Sequence, residues 1–177
     1  MRFLPSLLLL LAASTARAED EVPADDDTAA ESGRTANKGT LGIGIVIGEP
    51  TGVSAKLYVE DDQAIQAAAG FAFLGNGLHL HADYVWHPAV LQARDSFVLL
   101  AYVGPGVRFI QYRDGARGDS PSHIAIGVRG VGGLLFDFTD NPLDAFVEVA
   151  GVLEYGFDDE ERGGIALNAA AGARFYF

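Results

Sequence analysis

The chain of 177 residues contains no cysteine, one methionine and one tryptophan. Without cysteine there is no disulfide framework, no thiolate metal site and no lipid-modified amino-terminal cysteine. Positive charge is also scarce. Twelve Lys and Arg face twenty-four Asp and Glu, for a formal net charge of -12. Phosphate binding needs a basic surface, so nucleic acid is not an expected partner. The apolar stretch from Phe3 to Ala13 is too short to span a bilayer as a helix. From Gly39 onward no apolar repeat has helical spacing, and twenty-two glycines argue against a helical bundle.

The chain begins with a secretory pattern. Arg2 gives a positive n-region, Phe3 to Ala13 an apolar h-region, and Ala16-Arg17-Ala18 a small-residue cleavage site. Residues 1–18 are read as a signal peptide. Residues 19–38 hold Asp20, Glu21, Asp25, Asp26, Asp27 and Glu31 with almost no large apolar side chain. Such a stretch cannot bury enough surface to offset its ordering entropy, so a disordered acidic tail is expected. The run Asp25-Asp26-Asp27 lacks the spaced ligands and turn glycine of a calcium loop.

Residues 39–177 alternate at period two, in eight segments split by turn chemistry. Successive strand side chains point to opposite faces, so each segment has a dry set and a polar set. Thr40–Ile47 offers Leu41, Ile43, Ile45 and Ile47 as its dry set. Val53–Glu60 sets Val53, Ala55, Leu57 and Val59 against Ser54, Lys56, Tyr58 and Glu60. Gln63–Leu74 has Ile65, Ala67, Ala69, Phe71 and Phe73 dry, before the hairpin signal Gly75-Asn76-Gly77. Leu78–His87 opposes Leu80, Ala82, Tyr84 and Trp86 to His79, His81, Asp83 and His87. Ser96–Tyr112 opposes Phe97, Leu99, Ala101, Val103, Val107 and Phe109 to Tyr102 and Arg108, and Pro105 suggests a bulge or kink. His123–Phe138 opposes Ile124, Ile126, Val128, Leu134, Phe136 and Phe138 to Arg129 and Asp137. Leu143–Tyr155 opposes Ala145, Val147, Val149, Leu153 and Tyr155 to Asp144, Glu148 and Glu154. Gly164–Phe177 has Ile165, Leu167, Ala169, Ala171, Ala173, Phe175 and Phe177 dry, against Asn168, Arg174 and Tyr176.

Three features favour a barrel with the dry set facing lipid. Eight segments of about ten residues suit an even-numbered spanning barrel. The dry-set aromatics sort into two girdles: Trp86, Phe97, Phe136, Phe138, Phe175 and Phe177 at one end, Phe71, Phe73, Phe109 and Tyr155 at the other. The polar set carries both signs: Lys56, Arg108, Arg129 and Arg174 against Asp83, Glu148 and Glu154. Buried charges need partners, and eight strands leave room only for side chains. The expectation is an all-β fold, an eight-stranded antiparallel transmembrane β-barrel with a salt-bridged lumen and no open pore. The alternative is a soluble periplasmic barrel, charged outside, holding a small apolar ligand within.

Eight short strands, a signal peptide, a charged lumen and a terminal Phe resemble the small outer-membrane barrels of the OmpA transmembrane domain and OmpX class. The stretches Gly42-Ile43-Gly44-Ile45-Val46-Ile47-Gly48-Glu49-Pro50-Thr51-Gly52 and Gly75-Asn76-Gly77-Leu78-His79-Leu80-His81-Ala82-Asp83-Tyr84 are similar to a family of bacterial outer-membrane barrels, some of them implicated in binding host factors. The resemblance implies residence in the outer membrane among its lipids. It further implies recognition of Phe177 by the barrel-assembly machinery, and a structural or surface-interaction role through outer loops near Glu49, Asn76, residues 113–122 and residues 157–163. Against that class, neither the long protruding outer strands of OmpX nor the peptidoglycan-binding domain that follows the OmpA barrel is expected here.

The remaining constellations have plain readings. His79, His81 and Asp83 alternate on one face at a spacing that suits a metal, but a lumenal polar ladder explains them, and no metal or cofactor is expected. Arg117-Gly118-Asp119 resembles an integrin-recognition tripeptide in a polar loop and is a candidate outer-loop contact. Ser54, Ser96 and the adjacent pair Ser122-His123 assemble no nucleophile and base by pattern. A lipid-modifying enzyme is therefore the weakest alternative, and no enzymatic activity is expected.

Overall fold

A computed structural model describes residues 38–71, 77–113, 122–156 and 163–177. Eight strands follow one another: β1 Leu41–Gly48, β2 Thr51–Tyr58, β3 Gln63–Phe71, β4 Leu78–Arg94, β5 Phe97–Arg113, β6 Ser122–Phe138, β7 Leu143–Gly156 and β8 Gly164–Tyr176. Each pairs antiparallel with the next, and β8 pairs with β1 to close a barrel. Among the described residues there is no helix. The signal peptide and nearly all of the acidic tail lie outside the described residues, as do Phe73, Asn76, the Arg117-Gly118-Asp119 tripeptide and residues 157–162.

The register fixes the shape. One row of cross-strand partners runs Gly42, Lys56, Gln66, Asp83, Gly106, Arg129, Val152 and Ala166. It reaches β8 ten residues short of Tyr176, the β8 partner of Gly42 (176 less 166). A stagger of ten residues over eight strands tilts them about 40° from the axis, given ordinary strand spacing and rise. The end at which β1 starts and β8 finishes is called the lower end here.

The dry set faces outward on every strand. None of its described members is buried, and Ile165 and Leu167 are 82% and 83% exposed. Lys56, Asp83, Arg108, Arg129, Glu148 and Arg174 are buried inside. A barrel folded to hide its apolar side chains from water has the opposite arrangement.

Glycines on the inward face make room for large neighbours. A Cβ on Gly42 would strike the Tyr176 ring, on Gly106 the Asp83 carboxylate, on Gly133 the Tyr102 phenol and on Gly172 the Phe146 ring. Each small position thus receives a bulky side chain from the next strand, which is how a narrow lumen is filled. Gly48 has another role. Its φ of 128° lies where L side chains are strained. It opens the β1–β2 turn, which Thr51 clasps through its hydroxyl and the Gly48 backbone.

Two expectations about the strands are corrected. Pro105 makes no bulge: it sits opposite Gly130 in unbroken register with β6. Its missing N–H falls where the β4–β5 ladder has no partner pair, between Asp83/Gly106 and Trp86/Val103. The fourth segment, expected to end at His87, runs on through Pro88 to Arg94, with register shifts between Trp86 and Ala89 and between Val90 and Gln92. A bulge leaves a residue out of the ladder, so a proline there costs no hydrogen bond.

The glycine contacts give a first test. Gly172→Val should lower stability by about 1–3 kcal/mol, since it forces a branched side chain against Phe146 and the β1 backbone. At Gly151 an added Cβ meets no neighbouring atom, so Gly151→Ala should stay within about 0.5 kcal/mol of the parent. Urea unfolding followed by Trp86 fluorescence reads both.

Candidate functional site

The lumen is the site, built from three connected groups of side chains. The central one joins five strands. Arg129 from β6 places Nε 2.9 Å from Asp83 Oδ1 on β4, although the N–H is not aimed at that oxygen, and Nη2 3.2 Å from Glu148 Oε1 on β7. Gln66 from β3 donates through Nε2 to Glu148 Oε2 at 3.0 Å and to Asp83 Oδ2 at 3.3 Å. The Tyr102 hydroxyl from β5 donates to Glu148 Oε2 at 2.7 Å. Arg129 is 2% exposed, so its charge depends on these carboxylates rather than on water.

The lower group closes that end. Arg174 lies 3.6 Å from Asp144, donates to Ser54 Oγ at 3.1 Å and stacks 3.9 Å from the Phe146 ring centroid. Tyr176 donates to Asp144 at 2.6 Å. Lys38 Nζ bonds the Asp137 carboxylate and the Leu143 carbonyl. Lys38, the last residue of the expected tail, is fastened to the barrel rim. Toward the upper end, Arg108 pairs with Glu154 and donates to Asn168 Oδ1 at 2.8 Å.

The histidines fall into two sets. Glu49, His79 and His81 form a descending column, with His79 Nδ1 3.2 Å from Glu49 Oε1 and His81 Nδ1 3.4 Å from His79 Nε2. His81 Nε2 then faces Asp83 Oδ2 at 3.9 Å. His87 stands apart near the lower end. Its Nδ1 donates to the Asp62 carbonyl at 2.9 Å, which leaves Nε2 to accept from Lys56 Nζ at 2.7 Å. Lys56 is fully buried and has the faces of Tyr58 and Tyr102 at 5.0 and 5.1 Å.

All seven residues expected in the lumen charge network point inward, and so does the His79–His81 ladder. Three groups escaped the sequence reading. Phe146 is apolar but occupies an inward position, as do Val85, Leu100 and Leu135, which pack with it in one buried cluster. Gln66 belongs to the centre, but a lone amide on an alanine-rich strand carried no signal. Lys38 sat in a charged tract that read as tail. A gap beside Ser54, Gln66, His81, Phe146 and Arg174 is too narrow for a water molecule.

The outward aromatics take their expected ends. Phe97 and Phe136 lie 6.0 Å apart and Phe175 and Phe177 5.1 Å apart at the lower end, with Trp86 and Phe138 on the same side. At the upper end Phe109 and Tyr155 share Ile126 as cross-strand neighbour, and Phe71 pairs with Leu78. Of the expected nucleophile candidates, Ser54 is engaged by Arg174 and Ser96 is exposed at the β4–β5 turn. The side chains of Ser122 and His123 lie outside the described residues.

Removing the central cation should be far more damaging than removing Lys56. Arg129→Met strands two buried carboxylates and should cost about 3–5 kcal/mol. Lys56→Met replaces an ammonium that has no carboxylate within salt-bridge distance, and should cost about 1 kcal/mol or less. Unfolding of both variants in detergent micelles checks the ranking. Comparison with known protein families, curated proteins and solved structures finds no match for the chain.

Proposed function

We propose that this chain is an exported outer-membrane β-barrel with a sealed lumen, of the kind typified by the OmpA transmembrane domain and OmpX, and that it serves as a structural or surface-interaction protein. The observation that carries this reading is the inversion of the wall. Outward side chains are aliphatic around the whole barrel, and inside it Arg108, Arg129 and Arg174 are paired with carboxylates. A bilayer accepts such a surface, whereas water penalises it at about 25 cal/mol per Å² of apolar area. The aromatic levels lie on the order of 25 Å apart along the axis, as a hydrocarbon belt requires.

The partners in this reading are the lipid around the belt, the assembly machinery acting on β8 and Phe177, and a host or surface protein at the upper loops. A soluble barrel with an apolar ligand inside would need the charged set to face outward. A lipid-modifying enzyme is less favoured: Ser54 is engaged by Arg174, and Ser96 is exposed at the β4–β5 turn.

Envelope fractionation tests location. The mature protein should sediment with the outer membrane and change gel mobility on boiling; recovery in the soluble periplasm with no heat shift would overturn the proposal. The wall gives an independent check. Val149→Arg puts a charge at mid-height of the outward face and should cost about 2–4 kcal/mol for the protein folded into lipid vesicles.

A further inference from the structure

The hydrogen-bond column on β4 leaves one lone pair unaccounted for. The Glu49 carboxylate can only accept, so the proton between it and His79 sits on His79 Nδ1. His79 Nε2 is then an acceptor and takes the Nδ1 proton of His81. His81 Nε2 is consequently bare, and it faces Asp83 Oδ2 at 3.9 Å. Two acceptors aimed at each other repel unless a proton or a metal cation lies between them.

The surroundings supply further ligands. Ligand atoms of His81, Asp83 and Glu148 all fall within 4.8 Å of one another, and all three residues are buried. An ion held at about 2.0–2.2 Å by imidazole nitrogen and carboxylate oxygen needs only a slight contraction of that set. Gln66 is 3% exposed, is held between the two carboxylates, and has no partner for its Oε1. Half a turn of its amide would exchange the donating Nε2 for that oxygen and add a fourth ligand.

We propose that His81, Asp83 and Glu148, with Gln66 Oε1, form a binding site for a divalent transition ion such as Zn²⁺. One imidazole and three oxygens suit borderline ions of this class. The supporting contacts are also present. His79 fixes the His81 tautomer, and Tyr102 and Arg129 hold the Glu148 carboxylate. Glu49 and His79 stand above the site toward the upper end. Arg129 opposes the ion by charge, but its Nε is not aimed at Asp83 Oδ1, so that carboxylate oxygen has no hydrogen bond to give up. The site does not depend on where the barrel resides.

The test uses the mature chain folded in detergent micelles, stripped with chelator and titrated with Co²⁺, then with Zn²⁺. The expected result is one equivalent of Co²⁺ with a tetrahedral absorption band that Zn²⁺ abolishes. His81→Gln should weaken binding about tenfold or more. His87→Gln, which lies outside the cluster, should leave affinity within about twofold. Absence of the band in the parent protein overturns the site, and so does binding that His81→Gln leaves unchanged, which would belong to the exposed acids. If His81→Gln does not fold, pulsed electron-spin measurements on the Cu²⁺-loaded parent decide: imidazole nitrogen coupling supports the site, and its absence overturns it.

Discussion

The contact of Arg129 with Asp83 and Glu148 is the one on which the rest of the structure depends. It joins β4, β6 and β7 across the lumen, and Gln66 and Tyr102 bring in β3 and β5. In a helical or sandwich protein the apolar core does this work. Here most large aliphatic side chains are spent on the outer wall, so cohesion of the interior falls to charge pairs and the residues that orient them. Such pairs stabilise only when complete. In the lumen Arg108 pairs with Glu154, Arg129 with Asp83 and Glu148, and Arg174 with Asp144, Lys38 adds the counterion for Asp137, and Lys56 is held instead by His87 and two tyrosine faces.

The stagger of ten residues decides which charges meet. Asp83 and Arg129 lie in one row of partners separated only by Gly106 on β5. Gly106 has no side chain to block the Asp83 carboxylate, so the two groups meet across the intervening strand. Glu148 approaches the same guanidinium from β7. A shift of one residue in any register would turn a whole strand inside out, exposing charge on the wall and placing aliphatics where carboxylates need partners. Register and charge pairing therefore enforce each other.

Much of this was legible in the residue order. Alternation at period two assigned the inward charges and the outward aliphatics correctly on all eight strands, because side-chain direction in a strand is local. The pairing was not legible, since it depends on tilt and stagger, which no single strand records. Phe146 illustrates a different limit. Its position marked it as inward, but its apolar character matched the outward set, and only the Arg174 guanidinium above it and Gly172 beside it explain its place. The end expected at His87 fell short for a related reason: β4 continues past it through a bulge, which shows only when the partner strand is known. Gln66 is the direct partner of Asp83 on the neighbouring strand β3, whereas Glu148, on β7, reaches the His81–Asp83 pair only through closure of the barrel.

The glycine and bulky-residue couples carry a consequence for how this lumen tolerates change. Gly172 with Phe146, Gly133 with Tyr102, Gly106 with Asp83 and Gly42 with Tyr176 each divide one fixed volume between neighbouring strands. The quantity conserved is the sum, and neither residue of a couple is defined without the other. Substitutions at these places are accordingly epistatic: a larger residue on one strand becomes acceptable once its neighbour has shrunk, and the order of the two changes matters because the overfilled intermediate is strained. A lumen filled in this way can exchange much of its inner sequence by paired steps while the wall, the stagger and the outline of the barrel stay as they are.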